Sequence, residues 1–274
     1  MDIKEKHEKM LYPSVRVRTG TAGGSGTVLY SKPVPGSDDE YETYVLTNNH
    51  VIESNIKVGK KWSALVKREV MQDTLTPVDV EFFQWDYGSW DGGHSANKAN
   101  IQCYDKEMDL GLVKLETPRK VEFIAQLFPQ DEYKKRLRIF QEVCAVGAGM
   151  GHPPLATFGI LNGFNDVIEN YPYLFSSAPT IFGNSGGALY LAETGELIGV
   201  PSRITVAGGL FGGGDAITHL SYSIPIWSIY KFLEEQMFSF IYDDSTTSAE
   251  CEEKRKSKRE QDQRKLAVDM SREG

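Results

Sequence analysis

His50, Asp109 and Ser185 carry the three side-chain types from which an acyl-transfer site can be built, and each stands at the edge of an apolar, strand-like run. A serine hydroxyl stays protonated at neutral pH and becomes a useful nucleophile only when a base within hydrogen-bond reach takes its proton. An imidazole suits that task, and a buried carboxylate on its other nitrogen holds the tautomer and stabilises the imidazolium. Ser185 sits in Gly183-Asn184-Ser185-Gly186-Gly187, a turn whose first glycine can adopt backbone angles closed to other residues. The amides of Gly183, Asn184 and Ser185 are the candidate oxyanion donors, and Gly186 and Gly187 leave room for a substrate backbone. His50 lies in Thr47-Asn48-Asn49-His50-Val51-Ile52, and Asp109 opens Asp109-Leu110-Gly111-Leu112-Val113-Lys114-Leu115. Taken singly, these are a tight turn, a loop histidine and a strand-capping carboxylate. Their occurrence together, in this order, favours nucleophilic catalysis.

Residues so far apart in the chain converge only if a long-range β architecture brings them together. Short apolar runs punctuated by Gly, Pro, Asn and Asp dominate from about residue 13 to 225. Strands are expected at 15–18, 26–30, 44–47, 62–66, 78–85, 99–104, 110–115, 142–146, 157–162, 174–177, 187–191, 197–200 and 220–224. Such a pattern belongs to the all-β barrels and sandwiches. Pro225 opens a helix expected from Ile226 to about Phe240, with Ile226, Ile229, Tyr230 and Leu233 at helical spacing. The organisation expected is a charged segment 1–12, a main domain 13–240 and a charged tail 241–274, helical or disordered. From Ala249 onward the tail holds eight Lys/Arg and seven Asp/Glu and sustains no apolar heptad.

With 274 residues the chain can bury a sizeable core, and its net charge of −8 disfavours nucleic acid as a partner. No apolar run approaches the length of a membrane span, so no membrane partner is expected. Met1 to Met10 is charged and lacks the apolar core of a signal peptide, which points to a cytoplasmic location. Cys103, Cys144 and Cys251 show no ligand or CxxC spacing and read as free thiols in a reducing compartment. Asp86, Asp91 and His94 fit no established metal-ligand pattern, and no metal or other cofactor is implied. The run Gly208 to Gly214 lacks the ending of a phosphate loop and reads as a mobile loop beside the site, while His152 and His219 read as loop residues.

Residues 13 to about 235 resemble the trypsin-like serine peptidases of the chymotrypsin fold, and among them the HtrA type. The resemblance rests on Ser25-Gly26-Thr27-Val28-Leu29-Tyr30-Ser31, the histidine, aspartate and serine motifs above, Gly195-Glu196-Leu197-Ile198-Gly199-Val200, and Ser221-Tyr222-Ser223-Ile224-Pro225-Ile226. It implies two six-stranded antiparallel β-barrels, at about 13–120 and 140–225, with the active site in the cleft between them. It implies further that Ser202 supports Asp109 by a hydrogen bond. For the pocket that receives the residue before the scissile bond, it points to Pro179 at the base, Ser221 on one wall and Ile204 at the mouth, with Phe182 and Arg203 beside them. No anionic residue stands among these, so cleavage after small or medium apolar residues is expected, on a protein or peptide substrate. Asn184 occupies the position where digestive relatives carry an activating aspartate, so activity without N-terminal processing is expected.

The sequence departs from that family in places. A charged tail stands after residue 240 where a PDZ-like module is usual, and Phe182 replaces a usual proline. The longer stretch between His50 and Asp109 contains an aromatic hairpin, 82–94, which with the tail is a candidate surface for an assembly partner. Two alternatives stay open: a peptidase-fold structural or binding component of a larger assembly, and an esterase acting on a small acyl substrate.

Overall fold

A computed structural model describes residues 1–37, 39–63, 68–208 and 214–272. The first strands are β1 (Ser14–Arg18), β2 (Gly23–Pro33), β3 (Tyr41–Thr47), β4 (Ile56–Ser63), β5 (Arg68–Leu75), β6 (Val78–Asp86), β7 (Trp90–Asp105) and β8 (Leu110–Leu115). Then come β9 (Gln126–Leu127), β10 (Glu142–Gly147), β11 (Leu155–Ile168), β12 (Tyr171–Ser176), β13 (Ala188–Leu191), β14 (Glu196–Gly208) and β15 (Gly214–Pro225). The helices are α1 (Ile3–Lys6), α2 (Asn49–Ile52), α3 (Tyr133–Arg136), α4 (Ile226–Glu235) and α5 (Ser248–Arg272).

Barrel one is the closed antiparallel ring β1-β2-β3-β8-β7-β6, and β1 pairs with β6 to complete it. Its strands turn β-branched side chains inward, and Val15, Val17, Val28, Val45, Val80 and Val113 fill the interior. Barrel two closes through β10-β11-β12-β15-β14 and back through β13, with β9 added in parallel to β14 at Glu196 and Leu197. A second cluster built around Cys144, Leu161, Leu174, Leu189 and Ile198 fills it and reaches across to Tyr44 and Leu46 of barrel one. The two six-stranded antiparallel barrels are those the resemblance implied.

Several elements differ from the sequence-based expectation. β7 begins at Trp90, in the second arm of the hairpin expected at 82–94, and runs unbroken into the strand expected at 99–104, because Ser95 to Lys98 also pair with β6 without any apolar alternation to announce it. The tip of that hairpin leaves Tyr87 97% exposed, while Gly88 accepts a bond from the Tyr12 hydroxyl. The expected strand 62–66 belongs to a separate ribbon, β4 with β5, and its residues 64–66 lie outside the described ones. Helix α4 ends at Glu235 instead of about Phe240, since Met237 takes a positive φ of 60°. That turn lets Phe238 and Phe240 pack edge-on against Tyr44 between the barrels.

The N-terminal charges have a local job. Asp2 and Glu5 form a reciprocal capping box on α1, and the chain then buries Met10. The tail forms α5, whose first turns dock by the buried Cys251 and by Arg255, stacked 4.0 Å from the Phe238 ring centroid. All three cysteines are free and buried, and burial pushes the Cys144 thiol up to about 12. Burial therefore accounts for their unpaired state without reference to a compartment.

Candidate active site

The histidine is delivered by a short turn after β3. Val51 and Ile52 of α2 are buried in barrel one, which leaves His50 on the outer side of the turn facing the cleft. Asp109 meets it from the start of β8. Its carboxylate takes four bonds from three donors: Oδ1 accepts from the His50 amide at 3.0 Å and from His50 Nδ1 at 3.0 Å, and Oδ2 accepts from His50 Nδ1 at 2.8 Å and from the Ser202 hydroxyl at 2.7 Å. Its backbone carbonyl accepts from the Asn49 amide at 3.2 Å and from Asn48 Nδ2 at 2.8 Å. Asp109 sits at φ 55°, a left-handed conformation that aspartate tolerates better than bulkier residues. With Nδ1 engaged by the carboxylate, the imidazole is left with Nε2 free to act as a base.

The loop around Ser185 is fixed through its carbonyls. Phe182 O accepts from the Met150 amide at 2.7 Å and Asn184 O accepts from the Gly187 amide at 3.0 Å. The peptides are trans, so anchoring each carbonyl sends the N–H of the following residue, Gly183 or Ser185, to the opposite edge. Neither of those two amides donates a hydrogen bond among the described residues. The Asn184 amide, the third expected donor, instead donates to Ile181 O at 3.0 Å and is committed to the turn. Gly183 at φ 98° and Gly186 at φ 84° accept no side chain here: a Cβ on Gly186 would stand 2.2 Å from Ser25 O.

Ser25, which sequence reasoning passed over as part of a strand, ties this loop to barrel one. It is fully buried, its hydroxyl accepts from the Ala148 amide at 2.7 Å and donates to Gly183 O at 2.6 Å, and its amide donates to Ser185 O at 2.7 Å. Ser25→Ala strands one amide and one carbonyl, so unfolding by urea should show a loss of about 1–3 kcal/mol. A variant of wild-type stability would mean that water or rearrangement replaces the hydroxyl fully.

His50 and Ser185 line one cavity of about 270 Å³ with Thr180, Ile181, Phe182, Asn184, Pro201, Ser202, Arg203 and Ile204. Among the described residues the Ser185 hydroxyl makes no hydrogen bond to the imidazole, a contact that commonly tightens only when substrate binds. Of the residues assigned to substrate binding, Phe182, Arg203 and Ile204 border the cavity, and Arg203 is turned to Glu169 and stacked over Tyr173. Pro179 and Ser221 do not. The Ser221 hydroxyl is buried and bonds to Ser176 and Ala178 O, and Pro179 O is taken by Thr157. In their place stands Thr180, whose hydroxyl is buried and unpaired among the described residues. The expected glycine loop 208–214 falls mostly outside the described residues.

The trypsin-like peptidase domain model matches residues 24–200, a span that contains His50, Asp109 and Ser185. The chain belongs to the trypsin-like peptidase family. It is 29% identical over 203 residues to the periplasmic pH-dependent serine endoprotease DegQ of Escherichia coli (strain K12), covering 72% of this chain and 35% of that protein. A probable periplasmic serine protease of Haemophilus influenzae, do/HhoA-like, is 29% identical over 197 residues, with 69% and 34% covered. The chain thus spans about a third of the length of these curated relatives. The structure of the Yersinia pestis serine endoprotease superposes with a TM-score of 0.54 at 19% identity, over 86% of this chain and 67% of that one. An HtrA-type protease solved with a tripeptide gives 0.55 at 19% identity, over 89% and 65%. These relatives overturn one expectation. Both curated proteins are described as periplasmic, against the cytoplasmic location drawn from residues 1–10. The charges read there as the lack of a leader cap a folded helix and carry no information on compartment.

Proposed function

We propose that this domain is a serine endopeptidase in which Ser185 is the nucleophile, His50 the general base and acid, and Asp109 the group that orients His50. The observation that carries this reading is the Asp109 carboxylate bonded at 2.8 Å to His50 Nδ1, in a cavity that His50 shares with Ser185. His50 Nε2 takes the Ser185 proton as Oγ bonds to the scissile carbonyl carbon. The electron pair of the C=O moves to oxygen, where the Gly183 and Ser185 amides receive it. Collapse of that intermediate breaks the C–N bond, and the imidazolium gives its proton to the leaving amine. Water then cleaves the acyl ester, with His50 again as base. Ser202 holds Oδ2 of Asp109 and so restricts the carboxylate to one orientation.

The cavity beside Ser185 receives the residue before the scissile bond. Among the described residues no carboxylate lines it, Ile204 borders it, and the Arg203 cation stands at its side. A buried Lys or Arg would lose its hydration with no counter-charge, so small or medium apolar residues are preferred. Asn184 needs no new N-terminus to hold it, since its side chain accepts from the Ile181 amide at 3.2 Å, and the chain is competent without trimming.

The test is labelling by a fluorophosphonate probe together with a cleavage profile on a peptide library. The expected outcome is a probe adduct mapped to Ser185 and cuts after Ala, Val, Leu or similar residues. An unlabelled folded protein that leaves casein intact would reduce the chain to a binding component. A profile dominated by Lys or Arg would refute the pocket assignment alone.

A further inference from the structure

A second cavity, of about 660 Å³, opens on the other side of Phe182 and Gly183, between β1, the β1–β2 loop and residues 148–151. This inference rests on the peptidase reading above. If the acyl part of a substrate lies along residues 201–204, the departing part must leave across Ser185 into this second cavity. β1 turns Val15 and Val17 into barrel one, so Arg16 and Arg18 lie on its outer face and border the cavity.

The charge balance of that face is legible from the strand pairing. Arg16 stands opposite Glu81 and Arg18 opposite Asp79. Glu81 is buried and binds both arginines, Arg16 closely through Nε and Arg18 Nη1 at 3.2 Å. Asp79 is taken by Lys98 at 2.8 Å. Arg16 also donates to Gly151 O, which fastens it to the rim formed by barrel two. Two carboxylates therefore face three cations, and the excess charge rests on Arg18, whose side chain is 58% exposed. The remaining lining among the described residues is glycine, threonine, alanine, Met150 and Phe182, with no carboxylate.

We propose that Arg18, held by Glu81 and Arg16, forms an acid-selective subsite for the leaving-group side of the substrate, so that the enzyme prefers peptides carrying Asp or Glu shortly after the scissile bond. The guanidinium is anchored at one edge by Glu81 and presents its other donors to the cavity, which suits a carboxylate. A lysine at the same place would meet like charge.

The test uses amidated, internally quenched peptides that share the residues before the scissile bond and carry Glu, Gln or Lys in turn at each of the first three positions after it. At low salt, one of these positions should favour Glu over Lys in kcat/KM by about three- to tenfold, as expected for a partly exposed ion pair that also steers encounter. The preference should shrink as ionic strength rises. Arg18→Glu should invert the order at that position, and Arg18→Lys should keep its sign. Cleavage by the wild type without discrimination at any of the three positions, or an Arg18→Glu variant with unchanged order, would overturn the subsite while leaving the peptidase intact. Failure of every peptide to be cut, with no adduct on Ser185, would bring down the peptidase reading and the subsite with it.

Discussion

Ser185→Ala is expected to lower kcat on a good peptide substrate by about a million-fold, because in the proposed mechanism it removes the atom to which the acyl group is transferred. The residual rate should still exceed that in water by about a thousandfold, since substrate binding and the Gly183 and Ser185 amides survive. Their orientation is set by bonds to Phe182 O and Asn184 O, and neither bond involves the lost hydroxyl. Stability should hardly change. The hydroxyl makes no hydrogen bond among the described residues, so its removal orphans no buried partner there and Tm should move by no more than about 2 °C. Steady-state kinetics, probe labelling and a thermal melt on the same preparation check all of this. A folded variant that keeps more than about a hundredth of wild-type kcat would show that Ser185 is not the nucleophile.

Much of this architecture could be read in the sequence because its signals are local. Val15-Arg16-Val17-Arg18 alternates as a strand with one face in a core must, and the glycines around Ser185 announce a turn that only they can make. The signals fail where a position is decided by distant backbone. Ser25 and Met150 lie far from Ser185 in the chain, and nothing in their own residue types says that one grips Gly183 O and the other Phe182 O. Ser221 shows the opposite failure. Its residue type suits a pocket wall, but β15 pairs with β12 so that the hydroxyl meets Ser176, and Thr180 takes the place beside the cavity. Ser95 to Lys98 makes the same point for secondary structure, since pairing with β6 carries the strand on through residues that lie between the expected hairpin 82–94 and the expected strand 99–104.

Asp109→Asn carries the second largest expected effect, and the hydrogen-bond directions dictate its outcome. The two carboxylate oxygens face three donors: the His50 amide on Oδ1, the Ser202 hydroxyl on Oδ2, and His50 Nδ1 shared between the two and nearer Oδ2. Asparagine offers one acceptor oxygen and one donor NH2 in the same shape. A backbone amide can only donate, so the carboxamide oxygen must occupy the Oδ1 place. The NH2 then stands at the Oδ2 place, 2.8 Å from Nδ1, where two donors cannot face each other, so Nδ1 must accept. That choice moves the ring proton to Nε2, where it meets Ser185 and can take nothing from it. The hydroxyl of Ser202 rotates and accepts without loss. The alternative rotamer sets NH2 against N–H and strands two donors. The first arrangement sets no donor against a donor and is therefore favoured; it disables the base while the fold stays intact, and kcat should fall by about ten-thousandfold. Nitrogen NMR of the imidazole should show the proton on Nε2 in Asp109→Asn and on Nδ1 in the parent. Ser202→Ala should cost far less, since Asp109 keeps its bonds to His50. An Asp109→Asn variant within about tenfold of wild type, with an unshifted tautomer, would remove the carboxylate from the mechanism and leave His50 oriented by its backbone alone.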